Sequence, residues 1–369
     1  MELPEQQLLM SDLQNIKSDC IQLLKHLVQT PSFSKEEDGT AAIIQDFLAE
    51  RGLQVQRHLN NVWCMNQHFD QSKPTILLNS HHDTVKPNPR FTFDPFGATE
   101  LNGKIIGLGS NDAGASLVSL IAAFLYFNSQ QDLSYNLVLA ATAEEEISGA
   151  NGIASLIPFL PSIDCAIVGE PTQMQMAVAE RGLLVLDGLS HGIAGHAARN
   201  EGENALYKAM LDIQWFQTYQ FEKVSELLGP VKMTVTSIET DNKAHNVVPS
   251  ECRFVVDIRI NELYTHEEVL DTIRKSIQSE VTPRSCRLRS SMIALDHPLV
   301  RAGLGLGRTY YGSPTASDKA LMPFPALKMG PGDSARSHTA DEYIFINEIE
   351  EGIDLYIKLL QTVLNNSCN

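Results

Sequence analysis

The sequence lacks paired cysteines, long apolar runs and clusters of basic residues, and each absence excludes a class of protein. Its six cysteines form no CxxC pair, which argues against a disulfide framework and a thiolate zinc site and favours a reducing cytoplasm. It has no window of about 18 uninterrupted apolar residues, so we predict no membrane span. The first residues, MELPEQQLLMSDLQ, are acidic and lack the basic and apolar regions of a signal peptide.

The charge balance is strongly acidic. The chain carries 28 Lys and Arg against 45 Asp and Glu, a formal charge of −17 at pH 7. That field repels polyanions, so we expect no nucleic-acid partner. An excess of carboxylates is compatible with cation binding, although composition alone is explained more simply by a solvated acidic surface. A length of 369 residues favours two domains.

Four short apolar runs predict buried strands that each lead to a polar residue. PTILLNS leads to His81, YNLVLAAT to three consecutive glutamates, DCAIVGE to Glu170, and FPALKMGPG towards His338. They alternate with helical patterns such as ASLVSLIAAFLYF, as in a sheet covered by helices on both faces. We therefore predict an α/β fold with a mixed, mostly parallel sheet, whose functional groups lie beyond the carboxyl ends of its strands.

The pattern changes between about residues 175 and 287. GLLVLDGLSH, GPVKMTVTSIE and ECRFVVDIRINE alternate apolar and polar residues as half-exposed strands do, and NALYKAMLDIQWFQTY and THEEVLDTIRKSIQSEV are amphipathic helical patterns. We predict a small α+β domain at 176–287. It is inserted between the two parts of the first domain, at 1–175 and 288–369.

Several polar residues at these predicted strand ends suit a metal site. His81 and Asp83 share one side of an extended chain, so the carboxylate can fix the imidazole tautomer. Asp112 in GLGSNDAG stands at a helix entrance, where it, or a neighbour, would also serve as an N-cap. Glu170 and His338 would be unremarkable alone. Imidazole and carboxylate ligands without thiolate suit zinc, cobalt or manganese.

The three glutamates of ATAEEEISG extend this interpretation to catalysis. Two metals about 3.5–4 Å apart need a shared carboxylate and polarise a carbonyl, but the attacking water still needs a base. One glutamate of the triplet can bind metal while its neighbour takes the proton. A charged, solvent-facing loop is the alternative explanation.

These motifs together resemble the M20 family of metallopeptidases and deacylases, which includes acetylornithine deacetylase, succinyl-diaminopimelate desuccinylase, carboxypeptidase G and several dipeptidases. The resemblance covers nearly the whole chain. Its motifs occur in the family's order: SHHDTV, GLGSND, ATAEEEISG, VGEPT, HGIAGHAA, NVVP, DIR and GPGDSARSHTADEY. It implies a zinc-peptidase-like catalytic domain and an inserted α+β domain that acts as a lid and forms a homodimer.

The resemblance implies two divalent metal ions, of which zinc is the first expectation and cobalt or manganese the alternatives. His81 and Glu170 match the ligands of one ion, and Asp112 matches the bridging aspartate. Glu146 and His338 match the ligands of the other ion.

Two further matches concern the reaction. The family's general base falls on Glu145, with a register slip of one residue in the triplet left open. Asp83 matches the residue that orients the ligand His81.

The remaining matches concern substrate contacts. His196 matches a histidine that reaches the partner subunit's active site and stabilises the oxyanion. Asn246 and Arg259 match positions that line the substrate pocket, although DIR read alone is as well explained by a structural ion pair. Gly330 and Gly332 match positions where backbone N–H groups approach the substrate.

The resemblance implies a cytoplasmic, homodimeric hydrolase acting on a small N-acyl amino acid. The motifs look most like the acetylornithine deacetylase branch, which would place the protein in arginine biosynthesis. N-succinylornithine, acyl-lysine or diaminopimelate deacylases would look much the same. A dipeptidase or aminopeptidase of the family, and a metal-binding protein without catalysis, are more distant alternatives. The chain departs from the family at NDAGAS, which has no lysine, and at Leu108, where an arginine is common.

Overall fold

The computed structural model describes the backbone of residues 3–199 and 201–365, and side chains from residue 12 onward. The chain divides into two compact units. The first comprises Met1–Val178, Ile293–Tyr311 and Ser317–Asn369, and the second comprises Ala179–Met292 and Gly312–Ala316.

These bounds differ from the sequence-based ones, which placed the inserted domain at 176–287. The strand Met176–Glu180 belongs to the central sheet, so the second unit begins only at Ala179. The segment Gly312–Ala316, predicted as part of the first domain, is grouped with the second unit.

The helices and strands are numbered in chain order. The helices are α1 (Leu3–Gln29), α2 (Asp38–Ala49), α3 (Ala115–Asn128), α4 (Ile153–Leu156), α5 (Ala205–Thr218), α6 (His266–Ser276), α7 (Pro298–Gly305) and α8 (Ile346–Leu364). The strands are β1 (Gln56–His58), β2 (Asn61–Met65), β3 (Thr75–His81), β4 (Thr99–Leu101), β5 (Lys104–Ile106), β6 (Asn136–Thr142), β7 (Cys165–Val168), β8 (Met176–Glu180), β9 (Gly182–His191), β10 (Gly195–His196), β11 (Lys232–Thr240), β12 (Val247–Val248), β13 (Glu251–Ile260), β14 (Glu280–Pro283), β15 (Ser291–Met292), β16 (Tyr310–Ser313), β17 (Ala326–Lys328) and β18 (Tyr343–Phe345).

The four predicted apolar runs form the centre of a nine-stranded sheet with the order β1-β2-β6-β3-β7-β17-β8-β15, and β16 also pairs with β8. The central strands β6, β3, β7 and β17 are parallel, whereas the flanking pairs β2–β6, β8–β17 and β8–β15 are antiparallel. Every residue of β3, β6 and β7 is buried, as expected for apolar strands covered on both faces. The predicted mixed α/β fold is therefore confirmed.

Helix α3 forms much of the packing around this sheet. It contacts α1, α8 and β3, and most of its residues are buried. The segment Ser110–Asn128 is long and apolar enough to cross a membrane, but 83% of it is buried inside the unit. Its apolar character is explained by its place in the core.

The second unit is a four-stranded antiparallel sheet with the order β11-β13-β9-β14. Burial alternates along β9 and β13, because one face packs against α5 and α6 around Leu186, Phe254 and Ile273. A capping box at Thr265 and Glu268 starts α6. The short strands β10 and β12 form a separate ribbon.

Candidate metal centre

The carboxyl ends of the central strands bring the candidate residues to one edge of the sheet. His81, the last residue of β3, is opposite Thr142, the last residue of β6. On the other side of β3, Asn79 is opposite Val168, which ends β7 and is itself opposite Lys328 on β17. The segments carrying the triplet, Glu170 and His338 therefore all start from this edge.

His81 lies at the centre of one group of ligand atoms. Its Nε2 is 3.4 Å from Oδ1 of Asp112, 3.8 Å from Oε1 of Glu170 and 3.9 Å from Oε2 of Glu145. The imidazole is buried, and within the described part of the chain its Nε2 has no hydrogen-bond partner. A buried nitrogen that faces carboxylates and is left without a donor fits a metal ligand.

His338 lies in a second group. Its Nε2 is 3.0 Å from Oε2 of Glu146 and 3.6 Å from Oδ2 of Asp112. Asp112 belongs to both groups, with Oδ1 towards His81 and Oδ2 towards His338. This is the arrangement required of a carboxylate that bridges two metal ions.

The three glutamates of the triplet point in three directions. Glu145 lies near His81 and Glu146 contacts His338. The Glu144 carboxylate instead accepts hydrogen bonds from the side chain and the backbone N–H of Asn151. The geometry thus agrees with the register in which Glu145 and Glu146, and not Glu144, face the ligand groups.

The comparisons with known proteins agree with this geometry. The sequence profile of peptidase family M20/M25/M40 matches residues 77–362. The chain belongs to peptidase family M20. It is therefore a metal-dependent amide hydrolase, and the predicted family and enzyme class are confirmed.

Curated relatives of this M20 chain include two desuccinylases. Succinyl-diaminopimelate desuccinylase 2 of Ruegeria sp. is 28% identical over 276 residues, 70% of this chain and 69% of the relative. Succinyl-diaminopimelate desuccinylase of Orientia tsutsugamushi is 24% identical over 372 residues, 92% of this chain and 95% of the relative.

Solved structures share the fold at lower identity. Aminopeptidase PepT of Bacillus cereus superposes with a TM-score of 0.75 at 17% identity, covering 94% of this chain and 98% of that one. The YXEP protein of Bacillus subtilis, described as a dinuclear metal binding peptidase from M20 family, gives 0.75 at 15% identity and covers 96% and 100%.

Burial and mutual repulsion shift the pKa values of the ligand groups of the M20 chain. Burial raises the pKa of Glu170 to about 8, with His81 only partly offsetting it, and raises that of Glu145 well above its usual range. Burial alone would lower the pKa of His81, but Asp112, Asp83 and the neighbouring glutamates raise it well above normal. Buried carboxylates that repel one another are an environment that a divalent cation stabilises.

The hydrogen bond at Nδ1 of His81 determines which ring nitrogen can bind a metal. Nδ1 is 3.0 Å from the backbone oxygen of Asp83, which can only accept, so Nδ1 carries a proton and Nε2 is the nitrogen that a metal ion would bind in place of a proton. We predicted that the Asp83 carboxylate would be this partner. It lies farther away, at 3.4 Å, because its oxygens accept the backbone N–H groups of Glu145 and Glu146 and the Ser34 hydroxyl.

The loop that carries Asp112 is held by a residue that sequence reasoning missed. The carboxylate of buried Glu342 accepts the backbone N–H groups of Gly109, Asn111 and Asp112. The segment Ser110–Gly114 is an irregular π turn, and among the described residues none caps the N-terminus of α3 with its side chain. The N-cap alternative for Asp112 is therefore wrong.

Asp318 was also missed and lies beneath the same strand ends. Its Oδ2 accepts from the side chains of Asn79 on β3 and Thr142 on β6, 2.9 and 2.7 Å away. Burial raises the pKa of this carboxylate to about 6. Both Asp318 and Glu342 are far in sequence from the residues they hold, and neither lies at a predicted strand end, so no local pattern identified them.

The predicted substrate residues His196, Asn246 and Arg259 lie in the second unit. His196 on β10 and Asn246, which precedes β12, are exposed neighbours on the ribbon. Arg259 forms a two-bond ion pair with Asp257 on the same strand, at 2.8 and 3.0 Å. This pairing favours the structural explanation of the DIR motif, and the substrate roles of His196 and Asn246 stay predictions.

Gly330 and Gly332 serve packing in the structure. The N–H of Gly330 donates to Thr172 Oγ1, so it is not free to meet a substrate, which corrects that expectation. A side chain at Gly330 would collide with Ser116 and with the backbone of Glu170. Gly332 has φ of +90° and leaves room for Asn111, so it needs glycine both for its backbone conformation and for space. Its contact with a substrate stays a prediction.

Proposed function

We propose that this M20 hydrolase removes a succinyl group from the nitrogen of an amino acid, with a diaminopimelate-like amine as the product. The observation that carries amide hydrolysis is the pair of ligand groups joined by Asp112 with Glu145 beside them. The names of the curated relatives support the succinyl group. They do not support the N-acetylornithine substrate and arginine biosynthesis expected from the motifs, and we withdraw that expectation.

The residues present fit two divalent ions, because imidazole and carboxylate ligands without thiolate suit zinc, cobalt or manganese. Zinc is the metal we propose, since it is the first expectation for the M20 family. His81, Asp112 and Glu170 would hold one ion, and Asp112, Glu146 and His338 the other. Bound there, the ions would polarise the amide carbonyl and lower the pKa of water.

Glu145 acts as the general base of the reaction. It takes a proton from the attacking water, whose oxygen forms the new bond to the carbonyl carbon, and returns the proton to the nitrogen as the C–N bond breaks. The products are succinate and the free amine. Oε2 of Glu145 is 3.9 Å from Nε2 of His81, so the carboxylate lies beside the ligand group where the attacking water would be held.

A homodimer through the second unit completes the proposal, with His196 of each subunit serving the site of the other by stabilising the oxyanion. Two features support it. Tyr207, Met210 and Leu211 on α5 are large, apolar and exposed. The nine-residue strand β11, which α5 contacts, is the edge of its sheet and offers backbone groups for pairing.

We propose a cytoplasmic location for the enzyme. The five described cysteines are unpaired, and burial raises the pKa of the Cys20, Cys64 and Cys165 thiols to about 12. Such thiols are inert packing groups, as expected for a protein of a reducing compartment.

A hydrolysis panel tests the proposed function. Zinc-loaded protein is assayed for amine release from N-succinyl-diaminopimelate, N-succinylornithine, N-acetylornithine, N-acetyl-lysine and several dipeptides. We expect the succinyl substrates to be cleaved with the highest kcat/KM, and Glu145→Gln to abolish that activity. Cleavage of dipeptides alone, or full activity in Glu145→Gln, would contradict the substrate and the base respectively.

A further inference from the structure

We infer that Glu144, the first glutamate of the triplet, is a positioning residue whose carboxylate, bound by Asn151, fixes the loop from which Glu145 and Glu146 reach the ligand groups. The inference rests on the proposed roles of Glu145 and Glu146. It assigns a task to the one carboxylate of the triplet that faces neither group.

The backbone conformation turns Glu144 away from the ligand groups. Its φ is +56°, a left-handed conformation that non-glycine residues adopt only when the surroundings enforce it. The side chain is 5% exposed. Oε1 accepts from Asn151 Nδ2 at 2.8 Å and Oε2 from the Asn151 backbone N–H at 3.3 Å. The buried carboxylate of Glu144 therefore links residue 144 to residue 151 across the interior of the loop.

The rest of the loop is built around that carboxylate. The backbone oxygen of Glu144 accepts the N–H of Gly149, and that of Glu145 accepts the N–H of Ser148. A side chain at Gly149 would collide with the Glu144 carboxylate, so this position needs glycine for space. The carboxylate therefore fills the interior of the turn that follows the two proposed functional glutamates.

Two buried side chains anchor this loop to the rest of the first unit. Asn61 accepts the N–H of Ala143 and donates to the backbone oxygen of Asn151, so it holds both ends of the loop. The Glu37 carboxylate accepts the N–H of Glu144 and the side-chain N–H of Asn60. Asn61 and Glu37 thus fix the backbone at residues 143, 144 and 151. The contact between Glu144 and Asn151 then determines the conformation of the loop between these two residues.

The polarity of this contact can be reversed by substitution. In Asn151→Asp, a second carboxylate replaces the amide donor and faces the Glu144 carboxylate, which is unfavourable. Glu144→Gln alone keeps both hydrogen bonds, because the Asn151 amide can turn its oxygen towards the glutamine N–H. In the double variant Glu144→Gln/Asn151→Asp, the glutamine amide donates to the new carboxylate, and its oxygen accepts the backbone N–H. The double variant therefore restores the two hydrogen bonds with the charge moved to the other partner.

The experiment measures kcat and KM on the best substrate of the panel, zinc binding by calorimetry, and Tm. We expect Asn151→Asp to lower kcat about 10- to 100-fold and to weaken one of the two zinc-binding events, with KM changed by less than about threefold. The double variant should return kcat to within about threefold of wild type. Ser155→Ala is the matched control, because the Ser155 hydroxyl bonds the backbone oxygen of Asn151 without touching Glu144, and it should leave kcat unchanged.

Each outcome decides the inference. Wild-type kcat and zinc binding in Asn151→Asp, or a double variant that regains Tm but not kcat, would overturn it. If Asn151→Asp does not fold, Asn151→Ala, which removes only the side-chain donor, should lower kcat in the same way, and an unchanged kcat would overturn the inference. Full activity in Glu145→Gln, or no amide hydrolysis by wild type, contradicts the proposed function instead. Weakened zinc binding in Asn151→Asp would still support positioning of Glu146.

Discussion

The two ligand groups joined by Asp112 differ in their surroundings. His81 ends a central strand and its side chain is 1% exposed, whereas His338 lies on a surface loop and is 53% exposed. His81 has its tautomer set by a backbone oxygen, while His338 has φ of +59° and contacts Glu146 and Asp112 at its Nε2. One half of the centre belongs to the core of the unit and the other half to its surface. We therefore expect the two halves to bind metal with different affinity and different pH dependence.

Replacing the buried histidine should have the largest effect. His81→Ala removes the ligand around which Asp112, Glu145 and Glu170 are arranged, and leaves these carboxylates with an uncompensated charge. We expect kcat/KM to fall more than about 100-fold, beyond the loss typical of residues that only support a ligand. Steady-state kinetics with excess zinc checks this. An activity within tenfold of wild type would show that the buried group is not the essential half.

Replacing the exposed histidine should have a smaller effect. His338→Ala leaves the His81 group complete, so we expect zinc stoichiometry to fall from two to one and kcat/KM to fall about 10- to 100-fold. Metal analysis after dialysis against a weak chelator gives the stoichiometry. Equal losses in His81→Ala and His338→Ala would remove the distinction between the two halves.

The pH dependence of the exposed half follows from His338. Its hydrogen bond to Glu146 raises the pKa of His338 to about 9, so at neutral pH a metal ion must displace a proton from it. Zinc binding at this half should therefore strengthen about tenfold per pH unit between about 7 and 9. Calorimetry across this range checks the slope. A pH-independent affinity would show that the ligand is already deprotonated.

In the metal-free protein, the stabilisation that His338 gives the fold should weaken as pH rises, whereas zinc affinity strengthens. Because the pKa of His338 is higher in the folded protein than its ordinary value of 6.5, its pair with Glu146 stabilises the fold fully below about pH 6.5. That stabilisation is lost as pH rises through about 9. The difference in Tm between wild type and His338→Gln, both without metal, should shrink over this window. A difference that grows with pH would contradict the assignment.

The smallest effect on activity is expected at His82, the neighbour of His81 that faces the opposite way. Its Nδ1 bonds the Thr40 hydroxyl, its Nε2 bonds the backbone oxygen of Asn60, and burial lowers its pKa to about 4. His82→Ala should therefore cost about 1–3 kcal/mol of unfolding free energy, measured in urea, with kcat/KM within about threefold of wild type. A fall in kcat/KM well beyond threefold would show that His82 shares the catalytic function of His81.

The site residues that could be predicted from sequence are those that follow a buried strand at its carboxyl end. The apolar runs before His81, the triplet and Glu170 predicted parallel strands, and parallel strands deliver their carboxyl ends to one edge. The order of motifs then located Asp112 and His338. Because ligand residues serve the whole family, they carried no information on the acyl group, and the acetylornithine expectation had no physical support of its own.

The sequence did not reveal the residues from distant parts of the chain that hold the site in place. Glu342 and Asp318 hold segments more than 170 residues away, by hydrogen bonds that no local spacing encodes. The pairing of Arg259 with Asp257 was one of two open alternatives, since an alternating strand places residues i and i+2 on one face whether or not they bind a substrate. The bounds of the second unit shifted because β8 pairs within the central sheet.

The backbone N–H groups of residues 143–146 have a consequence for the order of folding. They donate to side chains of Asn61, Glu37 and Asp83, which precede them by 62 to 107 residues. Since such long separations close late, this loop acquires its shape only after the strands around it have assembled. What closes last in folding opens first, so its amide protons should exchange with deuterium faster than those of the central strands. The segment that carries Glu145 and Glu146 would thus open while the strands around it stay formed.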